Sequence, residues 1–249
     1  MIKALLAVLL LGTTIINSYR FAAAGGAGLN WTNLTSGSDT TTEPTTTASI
    51  TPDANADVFV AIVIAVAGGG QTQTADTMSV SGCNLTWTQV AEVPYWESTD
   101  RRSVYVWHGK GASPTTGSLT IDWTTGGGAT WTEHMWSVDQ VTGANTSTPY
   151  SNVATKAYSG TAGTGTGNVT VGGTVDAGDN VYFMCGHDTD EAVTLEASLT
   201  SLAAVTGGTD CRTINAGYDG TPTIDQTPSA TWSTSAGYAA IAFIVEVAP

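Results

Sequence analysis

The sequence predicts an all-β protein, an antiparallel β-sandwich, and three observations carry that expectation. The first is composition: the 249 residues include 44 Thr, 19 Ser and 29 Gly, with 11% charged residues, against roughly 25% in an ordinary globular chain. The second is the recurrence of short apolar, β-branched runs closed off by Gly, Pro, Asn and Asp. The third is the lack of a helical period. Only Glu191–Leu202 approaches apolar spacing of 3.6 residues, and it lacks good caps.

Composition also excludes functions. Seven Lys+Arg stand against 21 Asp+Glu, a formal charge of −14. An acidic chain without a basic run is a poor ligand for a phosphate backbone, so no nucleic-acid partner is expected. Coiled coils need Glu, Lys, Leu and Arg, which are scarce here. With 41% hydrophobic residues and eight Trp, the chain has the means to build a core.

Residues 1–49 read as an amino-terminal apolar segment followed by a Thr-rich linker. Lys3 precedes the apolar run Ala4–Leu11, and Ala22-Ala23-Ala24 offers small residues for cleavage. Two readings stay open: a secretory signal cut after Ala24, or an extended arm that packs on the body or on a neighbouring subunit. The apolar run is too short for a transmembrane span. Asn30–Ser49 has no periodicity and is expected to be linker or arm.

Residues 50–249 are expected to form the sandwich domain. Val58–Ala67 is continuously apolar between Pro52-Asp53 and Gly68-Gly69-Gly70, the pattern of a central strand buried on both faces. Leu119, Ile121 and Trp123 alternate with Thr120, Asp122 and Thr124, as in a half-buried strand. Ala239, Ile241, Phe243, Val245 and Val247 repeat that period at the carboxyl end. The body also echoes itself. Ala56–Val60 has a counterpart in Gly178–Phe183, Leu85–Val90 in Leu199–Leu202, and Arg101–Val104 in Cys211–Ile214. Thr120–Thr124 and Val138–Val141 answer Ala230–Ser233 and Val245–Val247. Two duplicated halves, 50–143 and 160–249, are one expectation; chance echoes in a Thr/Gly-rich text are the other.

The chemical inventory is thin. His108 ends a strand-like run, His134 lies between Trp131 and Trp136, and His187 opens His187-Asp188-Thr189-Asp190-Glu191. None has a recognisable nucleophile or acid beside it in sequence. Asp53, Asn55 and Asp57 copy the first ligand spacings of a calcium loop. Val58 then stands at the sixth position and Ile64 at the twelfth, where Gly and Glu are required. Cys83, Cys185 and Cys211 suit either one disulfide with a spare thiol or three buried apolar side chains. Trp96 and Trp131, in loop-like contexts, are the candidates for stacking on sugars. Sequons occur at Asn30, Asn33, Asn84, Asn145 and Asn168, close to what this Ser/Thr content produces by chance. No residue is assigned as catalytic, cofactor-binding or metal-binding, and no cofactor is expected.

The progression Thr51–Val66, Leu85–Val90, Ser103–Trp107, Gly117–Ile121, Val138–Gly143 and Ala239–Val247 resembles β-sandwich domains, jelly-roll or immunoglobulin-like, of tailed-phage virion proteins and bacterial surface proteins. The likeness spans residues 48–249 and consists of packing patterns, so it transfers no site residue. It implies a jelly-roll-like sandwich and a non-enzymatic virion structural protein of a phage: a capsid decoration, cement or fibre-like component. Such a protein sits on the virion surface and contacts other capsid or tail proteins and copies of itself in a homo-oligomer. The alternative is a secreted or cell-surface carbohydrate-binding, adhesive domain that meets surface glycans.

Overall fold

Period-two apolar segments with turn residues at their ends become sixteen strands among the described residues of a computed structural model. The structure describes residues 28–40, 44–67, 77–97, 100–124, 130–159, 165–188, 191–206, 213–221, 223–233 and 236–249. The first half holds β1 (Asn30–Asp39), β2 (Thr45–Thr46), β3 (Asp57–Ala67), β4 (Thr77–Gly82), β5 (Thr86–Glu97), β6 (Asp100–Lys110), β7 (Leu119–Thr124) and β8 (Thr130–Thr142). The second holds β9 (Tyr150–Tyr158), β10 (Thr166–Asn168), β11 (Asn180–His187), β12 (Thr194–Leu195), β13 (Thr200–Thr206), β14 (Thr213–Asp219), β15 (Ser229–Thr231) and β16 (Tyr238–Val245).

Both halves use one topology. In the first, a five-stranded sheet of order β1-β8-β3-β6-β5 faces a three-stranded sheet β2-β7-β4. In the second the orders are β9-β16-β11-β14-β13 and β10-β15-β12, the same sequence of strands with eight added to each number. All pairings are antiparallel. The chain passes from one sheet to the other at nearly every connection, which is how a jelly roll is wound. Here the fifth strand of each half turns back as a hairpin onto the sixth, enlarging one sheet to five strands.

Registers match as well. Val141 lies between Trp31 and Asp57 in the first half, and Val245 lies between Tyr150 and Asn180 in the second. It follows that Val58, Phe59 and Val60 occupy the places of Val181, Tyr182 and Phe183, and that Val138–Val141 corresponds to Ala242–Val245. The sequence echo that set Val138–Val141 against Val245–Val247 is thus displaced by three residues. Each structural unit also starts earlier than the sequence expectation, with β1 ahead of residue 50 and β9 ahead of residue 160.

Four layers result. The two five-stranded sheets face each other across a central core, and each three-stranded sheet closes an outer core. Phe59, Ala61, Val63, Tyr95, Met135, Tyr182, Met184, Ile241 and Phe243 lie in the central core. Val58, Val60, Ile62, Ile64, Ile121 and Trp123 fill the first outer core; Val181, Phe183, Cys185, Ala230 and Trp232 fill the second. That is why Val58–Ala67 reads as an unbroken apolar run: alternate residues of β3 feed two cores. β16 is likewise buried on both faces, and the half-buried reading of the carboxyl end is corrected. β7 does alternate as expected, with Leu119, Ile121 and Trp123 inward.

Two further expectations are overturned. Asn30–Ser49 is not a linker: β1 is an edge strand along β8, and Trp31 enters the central core. A register shift between Asn33 and Thr35 breaks its alternation, which conceals it in the sequence. Glu191–Leu202 contains β12 and the start of β13, with no helix. Residues 1–27 lie outside the described residues, so the signal and arm readings both fall there.

All four outer strands of the five-stranded sheets carry a bulge. The shifts fall at Asn33/Thr35 on β1, Gln89/Ala91 on β5 and Ser201/Ala203 on β13, and opposite Ala242/Ile244 on β9. At the β9 bulge Asn152 takes φ 52°. Bulges twist an edge away from regular pairing, so open-ended strand addition between copies is disfavoured. The central core is also tight. A Cβ on Gly186 would lie 2.5 Å from a Val63 methyl of the other half. Gly186→Ala is therefore expected to destabilise the chain by about 1–3 kcal/mol through overpacking, read as a lower denaturant midpoint with an unchanged slope.

Candidate functional site

Polar and aromatic side chains that the sequence leaves scattered converge on the seam between the five-stranded sheets. Trp31 of β1 stacks on Tyr182 and Tyr218 at centroid distances of 5.4 and 5.5 Å, and its indole N–H donates to Asn180 Oδ1 at 2.8 Å. The matching residue of the second half, Tyr150, lies against Phe59 and His108 at 6.0 and 5.2 Å. Phe59 and Tyr182, equivalent to each other, meet at 5.8 Å. Edge-to-face and offset ring pairs of this kind add to the area they bury.

Symmetry breaks at Asp139. Its counterpart is Phe243, which meets Phe59 at 5.0 Å; on the other side Tyr182 instead donates its hydroxyl to Asp139 Oδ2 at 3.0 Å. Asn33 donates to Oδ1 at 2.7 Å, and the Ser137 hydroxyl reaches the same carboxylate at 2.9–3.0 Å. The carboxyl is fully buried, and desolvation raises it to about 6 although the three hydrogen bonds pull the other way. The proton therefore stays on in the folded chain up to about pH 6. The stability it contributes is full below the unfolded value near 4 and is lost as pH rises through 6. Asp139→Asn removes the charge and is expected to stabilise the protein at pH 8 by up to about 3 kcal/mol, with little gain at pH 4. Denaturant titrations at both pH values check this; equal effects at the two would contradict it.

A second polar contact crosses the seam at the other end of the strands, where Arg102 of β6 pairs with Asp188 just past β11, both buried. Pairs of this kind fix the relative placement of two elements more than they add net stability.

Each histidine singled out in the sequence is packed inside. His108 Nε2 lies 2.7 Å from Asp57 Oδ1, and Lys110 Nζ is 3.0 Å from the same oxygen. Asp57 is thus engaged with two strand neighbours, while Asp53 pairs with Gln140. The Asp53/Asn55/Asp57 set is a turn ahead of β3, with Asn55 in the left-handed region. His134 lies between Trp123 and Trp136, and His187 stacks on Trp232 at 4.6 Å. Burial lowers both rings to about 4. Each half thereby places one neutral imidazole against a buried Trp, Trp123 of β7 in the first and Trp232 just past β15 in the second. Cys83 and Cys185 are buried free thiols; burial pushes Cys185 up to about 12, which makes it a poor nucleophile. Cys211, Thr189 and Asp190 lie outside the described residues. Among those described, no group of three His, Cys, Asp or Glu is placed to hold a metal.

Trp96 and Trp131 belong to β5 and β8 rather than to loops, which corrects the sequence reading; their side chains lie outside the described set. Another concavity was not foreseen. The segment between β10 and β11 and the segment between β14 and β15 enclose a cleft of about 800 Å³, lined by Thr174, Val175, Asp176, Thr221, Ile224 and Gln226 among others. No helix among the described residues is long and apolar enough to cross a membrane.

Comparison with known proteins finds no matching family model, no matching curated protein and no matching solved structure.

Proposed function

We propose that this chain is a non-enzymatic structural component of a phage virion, a capsid decoration or fibre-like surface protein that acts through subunit contacts. One observation carries the reading: two sandwiches wound as jelly rolls, an architecture recurrent in viral capsid proteins, are fused face to face across a single apolar seam. The build suits a rigid block. Its histidines are packed against aromatic or acidic partners inside the cores, which leaves them without access to a substrate. Lys and Arg are so few that Gly111–Thr155 and Ala157–Cys211 contain no tryptic site, a benefit to an exterior particle protein. The bulged edges favour closed contacts over open strand stacking.

The test is localisation. An epitope-tagged chain, expressed during particle production, is expected to sediment with intact particles in a density gradient and to be labelled on their surface by immunogold. A chain recovered entirely from the particle-free fraction, trimmed after Ala24 by intact mass, would sink the proposal. The cleft between the β10–β11 and β14–β15 connections favours a second reading, a secreted or cell-surface adhesive domain that binds carbohydrate.

A further inference from the structure

The cleft lies in the second half, and both of its walls are held from behind by buried carboxylates. Asp179 Oδ2 accepts the Asp176 N–H at 2.9 Å, and its Oδ1 accepts Val247 N–H at 3.0 Å. The first wall is thus tied to the carboxyl-terminal segment. Asp219, fully buried at the end of β14, accepts Thr221 N–H at 2.9 Å through Oδ1 and Asp225 N–H at 2.8 Å through Oδ2. That ties the second wall. Gln226 joins the two, its amide donating to Gly173 O at 3.1 Å while Val171 N–H donates to Gln226 O at 2.7 Å. Gly173, at φ +92°, sits so close to the Asn152 amide of the β9 bulge that a Cβ there would fall at 2.4 Å. In the first half the matching connections are drawn together by the Ile50–Gly117 bridge, and Gly109 stands where Asp219 does.

Pre-organised walls reduce the entropy lost when a ligand is ordered between them. The groups they present define the ligand. The Asp176 carboxylate and the Thr174 hydroxyl are exposed and make no hydrogen bond within the described residues, and Gln226 keeps its carbonyl oxygen for a donor. Val175 and Ile224, both half-buried, supply apolar surface. Neither Lys nor Arg lines the cleft, so an anionic ligand finds no counter-charge. A single lining carboxylate is too few for a calcium ion, which takes six to eight oxygens. What fits is a ligand rich in O–H donors that also has C–H faces, carries no negative charge, and fills a volume within the usual 300–1,000 Å³ range.

We infer that this cleft binds a neutral glycan segment, its hydroxyls donating to Asp176 and Gln226 and its C–H face resting on Val175 and Ile224. The inference rests on the carbohydrate-binding reading, and its failure leaves the virion proposal standing. The full chain is titrated by calorimetry with maltotriose, cellotriose, mannotriose and chitotriose, and with sialyllactose as an anionic control. At least one neutral trisaccharide is expected to bind. Asp176→Ala and Ile224→Ser should each weaken it ~10-fold or more, equivalent to ~1.4 kcal/mol, while Asp122→Ala on the outer face of β7 changes nothing. The Asp176 carboxylate is exposed and makes no hydrogen bond within the described residues, and its backbone bonds to Asp179 survive the substitution, so the variant keeps the wild-type melting temperature. No binding by any neutral trisaccharide, equal binding by the cleft variants, or preference for sialyllactose overturns the inference.

Discussion

Trp31→Ala is expected to lower the stability of the whole chain by about 3–5 kcal/mol, the range for truncating a buried aromatic. Trp31 lies on β1, within a stretch whose composition suggests linker, yet its indole stacks on Tyr182 and Tyr218 and bonds Asn180 of the opposite half. The loss opens a cavity in the seam and leaves the Asn180 carbonyl without its donor. Both halves should respond, because Trp31 pairs along β8 of its own half and stacks on Tyr182 and Tyr218 of the second. Guanidinium titration followed by tryptophan fluorescence and by far-UV circular dichroism checks this. A change below 1 kcal/mol would mean that β1 is peripheral.

The second large effect is acid sensitivity. Burial lowers His134 and His187 to about 4, so the unfolded chain takes up a proton at each as pH falls below 6.5 and the folded chain does not. The stability they contribute is present above pH 6.5 and is lost as pH falls to 4, about 3 kcal/mol for each ring. Asp139 opposes them, since its folded carboxyl holds a proton up to about pH 6. Between pH 4 and 6 the sum for these three groups is two protons gained less one released on unfolding. Their joint contribution falls by about 1.4 kcal/mol per pH unit as acid is added. In the double variant His134→Phe/His187→Phe the sign from these groups reverses and Asp139 alone remains. Denaturant midpoints taken from pH 4 to 7 measure the difference. Parallel pH profiles for wild type and double variant would show that the imidazoles are not held neutral.

The sequence reveals strands where one physical signal dominates. β3 is legible because both its faces are buried, and β7 because one face is. The likeness of the halves shows in Val58-Phe59-Val60 against Val181-Tyr182-Phe183, where apolar packing constrains both segments. Ser103-Val104 against Thr213-Ile214 shows the same. What escapes the sequence is what depends on distant partners. β1 hides because its bulge at Asn33/Thr35 resets the alternation and its outer residues are Thr, Ser and Asn. The role of Asp139 cannot be read locally, since Tyr182 lies 43 residues away in the chain. The cleft is invisible for the same reason: Asp179 and Asp219 read as turn residues until their oxygens are seen to hold two separate loops. Conversely, the Trp pair chosen for sugar binding lies in strands, because an aromatic near Gly or Pro looks exposed when its pairing partner is unknown.

With Arg102–Asp188 and Asp139–Tyr182 bonded across it, the seam is expected to make one cooperative unit of the two similar sandwiches. Native-state hydrogen exchange addresses that claim most directly, because it reports opening free energies strand by strand. Amides of β3 and β11, the central strands of the two halves, are expected to exchange only through global unfolding, with one shared free energy and one shared dependence on denaturant. If either strand opens several kcal/mol below the other, the halves are separate domains that merely touch, and the seam is not what holds this protein together.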